Sequence, residues 1–263
     1  MCIIAVSKIG VRQPSLKQLR NMYDNNPDGA GYMYARNGKV HIHKGFMTWE
    51  DFSRAVENEH FTKDDAVVYH FRISTQAGIC PQMTHPFPLT KDLKLCEKLD
   101  LTCPTGIAHN GIITMTSFAK ETRFSDTAYF ISWYMSKLIR KPDEITDPFV
   151  QDMIENLTNS KWAMMDGLTG DIVTLGKFTN VKGLLFSNSS YSDNYWSKKW
   201  DDKYPTKSLY GDGYYLGYNY TDYGYECEGY SDYTMDGKSK KKSGKKTDKK
   251  TDKKTDERPP FTM

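Results

Sequence analysis

The opening "MCIIAV" puts a cysteine at position 2, where loss of Met1 would leave one residue carrying both a thiol and a free α-amine. A thiol attacks as its thiolate, and at an ordinary pKa of about 8.5 little is ionised at neutral pH. An α-amine titrates at about 7.7–8.0, close to working pH, which suits it to take the thiol's proton. Cys2 could then hold nucleophile and base together. The competing reading is a small buried filler at the start of a strand, a frequent place for a free cysteine.

Four further stretches carry chemistry-bearing residues. In "IAHNGII", Asn110 and Gly111 form either a hairpin turn or a pair of donors, side-chain amide and backbone N–H, for a developing oxyanion. Arg72 in "HFRIST" lies on a strand opposite its apolar face. There it reaches solvent, pairs with an acid, or clamps a carboxylate through two parallel hydrogen bonds. Asp126 in "FSDTAYF" follows an N-cap and either complements the helix dipole or receives an ammonium. His85 in "THPFP" reads as structural support in a rigid turn. His41 and His43 share a strand face but lack a third ligand at suitable spacing, so neither a metal nor another cofactor is expected.

The elements that must position these residues follow from periodicity. Residues 2–6 read as a short buried strand, and Leu16, Leu19 and Met22 recur at helical spacing up to Asn25-Asn26-Pro27. "GYMYARNGKVHIHKGF" is a hairpin turning at Asn37-Gly38. Thr48 and Asp51 resemble a capping box before a helix striped by Trp49, Phe52 and Val56. In "AVVYHFRIST" Val67, Tyr69, Phe71 and Ile73 alternate with Val68, His70, Arg72 and Ser74. Residues 104–115 read as a strand with Ile107-Ala108 and Ile112-Ile113 as one buried run. Ser125 caps a helix to about Leu138, with Phe130, Ile131, Tyr134 and Leu138 inward. A helix near 148–157 is striped by Phe149, Met153, Ile154 and Leu157, and "KWAMMDGLTGDIVTLGKF" is a second hairpin turning around Gly167–Gly170. Hairpins and helices in blocks favour α+β over a doubly wound α/β fold.

Charge is unevenly spread. Residues 238–263 carry a net +7, so the whole-chain +3 leaves −4 on residues 1–237, and the basic balance belongs to the tail. Ten of the eighteen tyrosines fall within residues 204–233 amid Gly, Asp and Asn. The repeat "KKTDKKTDKKTDE" cannot bury a core and reads as disordered. The domain reading is a body over 1–191, a Tyr/Gly-rich extension over 192–237 and a basic disordered tail over 238–263. Five scattered cysteines without a CxxC pair, no leader and no apolar stretch of membrane length lead to the expectation of a cytoplasmic protein with reduced thiols.

Taken in order, "MCIIAV", "NNPDGAGY", "VVYHFRIST", "THPF", "AHNGII" and "FSDTAYF" resemble the class II glutamine amidotransferases of the N-terminal nucleophile hydrolase group. The compact form is similar to stand-alone members found in large bacteriophages. "WAMMDGLTGDIVTLGKF" and "LLFSNSSY" extend the likeness to about residue 191. The resemblance implies a four-layer αββα sandwich of two antiparallel sheets between helical layers. It implies that Cys2, freed of Met1, attacks the side-chain amide of glutamine, or of a related γ-glutamyl amide, to give a glutamyl thioester and ammonia. Asn110 and Gly111 would form the oxyanion hole, Arg72 would grip the α-carboxylate, Asp126 the α-ammonium, and Thr75 would join the substrate site. The chain departs from the family at Thr75-Gln76-Ala77-Gly78, where many members have histidine-glycine. No synthase domain follows residue 191, so ammonia would pass to solvent or to a separate accepting protein. The alternative is a catalytically degenerate body that scaffolds, its Lys-rich tail contacting nucleic acid.

Overall fold

The structure, a computed structural model, describes residues 2–74, 78–114 and 123–193. Thr75, the Tyr-rich stretch, the Lys-rich tail and Cys227 lie outside the described residues, as does Met1. Among the described residues, no helix is long and apolar enough to cross a membrane.

Among the described residues, eleven strands make two sheets, antiparallel throughout. They are β1 (Ile3–Ser7), β2 (Ala30–Arg36), β3 (Lys39–Phe46), β4 (Val67–Phe71), β5 (Phe87–Pro88), β6 (Asp100–Cys103), β7 (Thr105–Asn110), β8 (Lys161–Asp166), β9 (Ile172–Leu175), β10 (Thr179–Val181) and β11 (Leu184–Phe186). The larger sheet runs β10-β11-β1-β4-β2-β3-β6 and the smaller β5-β7-β8-β9. The helices are α1 (Leu16–Asn25), α2 (Trp49–Glu59), α3 (Leu93–Cys96), α4 (Asp126–Phe130), α5 (Ser136–Leu138) and α6 (Pro148–Thr158). A π-helical turn over Ile131–Met135 joins α4 to α5, so the helix capped by Ser125 does reach Leu138.

The continuous apolar run of β1 makes sense because both of its faces are buried. Ile3 and Ala5 pack with Leu19 and Met22 of α1 and Phe52 of α2. Ile4 and Val6 pack instead with Ala108 of β7 and Ala163 and Met165 of β8. A third core joins Ile107, Trp162 and Met164 of the smaller sheet to Phe130, Ile131 and Met135 of the α4–α5 helix and Ile154 of α6. Each strand thus alternates its side chains between two different partners.

Local chemistry sets the turns. Asn37 and Gly38 both take positive φ, 54° and 73°, as the β2–β3 hairpin requires. Thr48 Oγ1 caps α2 by accepting the N–H of Asp51. Three expectations are corrected. The 104–115 strand ends at Asn110, and Ile112 beyond it is exposed, because the chain bends at Gly111. Leu16 is exposed at the first residue of α1, which buries Leu19, Met22 and Tyr23. In α6 the buried residues are Val150, Ile154 and Thr158, while Phe149 and Leu157 face outward. Apolar type alone does not phase a helix whose outer face also carries large side chains.

Candidate functional site

Strand pairing brings the N-terminus to the end of β4. Ile3 is in register with Phe71, so Cys2 falls beside the residues that follow it. Its Sγ accepts the N–H of Ile73 at 3.3 Å and lies 3.4 Å from the Ile73 carbonyl. Asn188 Nδ2 donates to the Cys2 carbonyl at 2.7 Å, fixing the backbone there. Burial pushes the thiol pKa up, against the lowering pull of the Ile73 amide and of the Arg72 guanidinium.

Arg72 is 4 % exposed, which removes the solvated-face reading. Its N–H donates to Gly29 at 2.8 Å and its carbonyl accepts from Asp28 at 3.0 Å. Asp28 also accepts the N–H of Ser74 at 2.7 Å. The "NPDGAGY" stretch therefore straps the segment after β4 in place, a task its turn-like composition did not disclose.

Asp126 is buried at the start of α4. One carboxylate oxygen accepts the N–H of Ile113 at 2.8 Å. The other accepts the N–H of Thr127 at 2.7 Å and its hydroxyl at 3.3 Å. Burial raises its pKa, while these donors and the Arg72 charge act to lower it.

Gly111 follows β7 directly and has no room for a side chain: a Cβ there would strike Ser160 Oγ and come within 2.7 Å of Ser160 Cβ. The preceding Asn110 is 5 % exposed. Its Nδ2 donates to Ser187 Oγ at 2.7 Å, and the same oxygen accepts the N–H of Ile4 at 2.8 Å. Its Oδ1 is buried without a hydrogen-bond partner among the described residues.

Cys2, Arg72, Gly111 and Asp126 line one small cleft of about 20 Å³, open to solvent, together with Ile73, Ser125, Thr127, His85 and His109. Asn110 is not among its lining residues. Thr75 lies outside the described residues. Three histidines back the cleft. His70 Nε2 and His85 Nδ1 each lie 3.0 Å from the carbonyl of His109, and both must therefore donate to it. His70 and His85 pack with their rings tilted by 46° and their centroids 4.3 Å apart. Close approach of the His85 backbone to the sheet depends on Gly31, where a Cβ would strike the His85 carbonyl. His85 thus has the supporting role read from "THPFP" and also lines the cleft. His109 lies in the apolar run "IAHNGII", where its type and spacing alone do not single it out.

Among the described residues, no group of three or more His, Cys, Asp and Glu is arranged to hold a metal ion. No protein-family model matches the chain, and no curated protein matches it.

Proposed function

We propose that the chain is a glutamine amidotransferase-like hydrolase acting through Cys2, with the layer order αββα. The layer order is supported by the three cores, one shared by the two sheets and one on the outer face of each. The observation that carries the activity is the convergence of Cys2, Arg72, Gly111 and Asp126, from four separate stretches, on one cleft. A thiol, a guanidinium, a backbone turn and a carboxylate are the groups needed to attack an amide while holding both charged ends of an amino acid.

In this reading Met1 is removed and the α-amine of Cys2 takes the thiol proton. The thiolate adds to the amide carbon of glutamine, forming the C–S bond. The negative charge on oxygen is met by the N–H of Gly111 and the amide of Asn110. A half-turn of that amide would let the Ser187 hydroxyl donate to Oδ1, relieving its missing partner. The C–N bond then breaks, and the nitrogen leaves as ammonia with the proton the amine carried. Water hydrolyses the thioester to glutamate and restores the thiol. Arg72 grips the α-carboxylate and Asp126 the α-ammonium. The ammonia goes to water or to a separate accepting protein.

The test is incubation of purified protein with L-glutamine, reading glutamate and ammonia, alongside the intact mass of the N-terminus. Activity in protein that retains Met1 would remove the proposed base. No glutamate from protein with a free Cys2 amine would remove the reading.

A further inference from the structure

A buried acceptor in the cleft has no partner among the described residues. His109 is 1 % exposed and its imidazole is stacked on Trp162, ring centroids 4.1 Å apart. Its Nδ1 lies 2.8 Å from Thr127 Oγ1, whose hydroxyl in turn donates to Asp126 at 3.3 Å. With the hydroxyl proton directed to the carboxylate, the Thr127 oxygen accepts from His109, an assignment that puts the imidazole proton on Nδ1. Nε2 is then a bare lone pair. It is buried, it has no hydrogen-bond partner among the described residues, and it lies 3.0 Å from where a Cβ on Gly111 would stand, on a cleft that His109 lines. Burial holds the His109 pKa down to about 3, so the ring stays neutral at working pH. A buried acceptor left unmatched is costly, so its upkeep calls for a ligand donor.

The neighbouring carboxylate supplies the need. Asp126 already takes three hydrogen bonds, from Ile113 and twice from Thr127, which leaves it little free capacity. An α-ammonium brings three N–H donors into this corner. Resting on the glutamine reading above, we propose that His109 completes the amino-group site, its Nε2 accepting one hydrogen bond from the substrate α-ammonium beside Asp126. Asp126, Thr127 and His109 then act as one unit. The carboxylate orients the hydroxyl, the hydroxyl fixes the tautomer, and the tautomer aims an acceptor at the substrate. The unit selects amides that carry an α-amino group.

The experiment is calorimetric titration of the full chain carrying Cys2→Ala, using L-glutamine and 4-carbamoylbutanoate, the same molecule without its amino group. His109→Phe keeps the ring on Trp162 and deletes Nε2. It should weaken glutamine binding roughly 10- to 100-fold, the range for a hydrogen bond to a charged group, and leave the des-amino compound unchanged. Thr127→Val should produce the same selective loss and Thr127→Ser should restore binding, which decides the matter if His109→Phe does not fold. Equal weakening of both compounds, or of neither, overturns the amino-group role while leaving the glutamine reading intact. Failure of the Cys2→Ala parent to bind glutamine overturns both.

Discussion

The sulfur of Cys2 accepts the backbone N–H of Ile73 at 3.3 Å, across 71 positions of chain. The β1–β4 register makes this contact, and it places the thiol at the residue next to the buried Arg72 guanidinium. The proposed nucleophile and the proposed carboxylate clamp are thereby held on adjacent strand ends of one sheet, the arrangement that keeps reacting groups in register.

The raised thiol pKa of Cys2 sets its reactivity. Since the thiolate is the reactive form, alkylation by iodoacetamide at neutral pH should be slower than for a free cysteine and should accelerate as pH rises above the ordinary thiol range. Peptide mass spectrometry over a pH series reads this directly. Cys2→Ala should abolish glutamate formation. Fast labelling of Cys2 at pH 7 would contradict a buried, protonated thiol.

Arg72→Lys should raise the KM for glutamine about 100-fold. A lysine keeps the charge but loses one arm of the two-pronged grip, and it must bury a strongly hydrated ammonium. Steady-state kinetics should show the loss mainly in KM, and Arg72→Ala should be no worse than a few-fold beyond it. A kcat effect with unchanged KM would place Arg72 elsewhere in the reaction.

Acid should unfold the protein through its histidines. Burial lowers His70 and His109 to about 3 and His85 well below its ordinary value. The unfolded chain protonates near 6.5, so each contributes stability that is complete above that pH and is lost as pH falls below it. The slope is up to about 1.4 kcal/mol per pH unit for each group. Asp126, whose pKa is raised, works the other way, but as one proton against three. Urea midpoints at pH 7 and pH 5 should differ sharply, and a flat profile would mean the histidines are not held neutral.

Lys44 should make stability rise with pH just above neutrality. Its ammonium is buried, donating to the carbonyls of Gln82 at 2.9 Å and Cys96 at 2.6 Å over the ring of Phe87, and desolvation lowers its pKa to about 7. Above pH 7 the folded lysine loses its proton while the unfolded one keeps it to about 10.4, so stability increases. From about 8.5 upward the thiols reverse the trend, because burial holds Cys96 and Cys103 up at about 12. Lys44→Met should flatten the rise between pH 7 and 8.5 in thermal melts.

Gly111→Ala should cost about 1–3 kcal/mol of stability and most of the activity, because the new methyl must displace Ser160. Chemical denaturation together with glutamate release measures both. An alanine variant of full activity would show that the turn at 111 has slack and that its N–H is not critically placed.

Much of the local architecture was legible in the sequence. Asn37-Gly38 demands positive φ wherever it falls, Ser125 and Thr48 cap helices through their own hydroxyls, and alternation along 67–71 assigns strand faces before any partner is known. These are interactions among residues a few positions apart, so the chain specifies them without its fold. The roles of Phe149, Leu157 and Ile112 were misread because exposure depends on what covers a face, and no nearby residue decides that.

The chemistry-bearing types at 2, 72, 111 and 126 were likewise written in the chain. Their meeting in one cleft was decided by strand register, by the close packing that Gly31 and Gly111 permit, and by the hydrogen bonds of Ser187 and Asn188 to Asn110 and Cys2. Burial of Arg72 and Lys44, the neutral state of three histidines and the bare nitrogen of His109 arise from the same source. Desolvation and missing partners are properties of a packed interior, and a linear sequence has none.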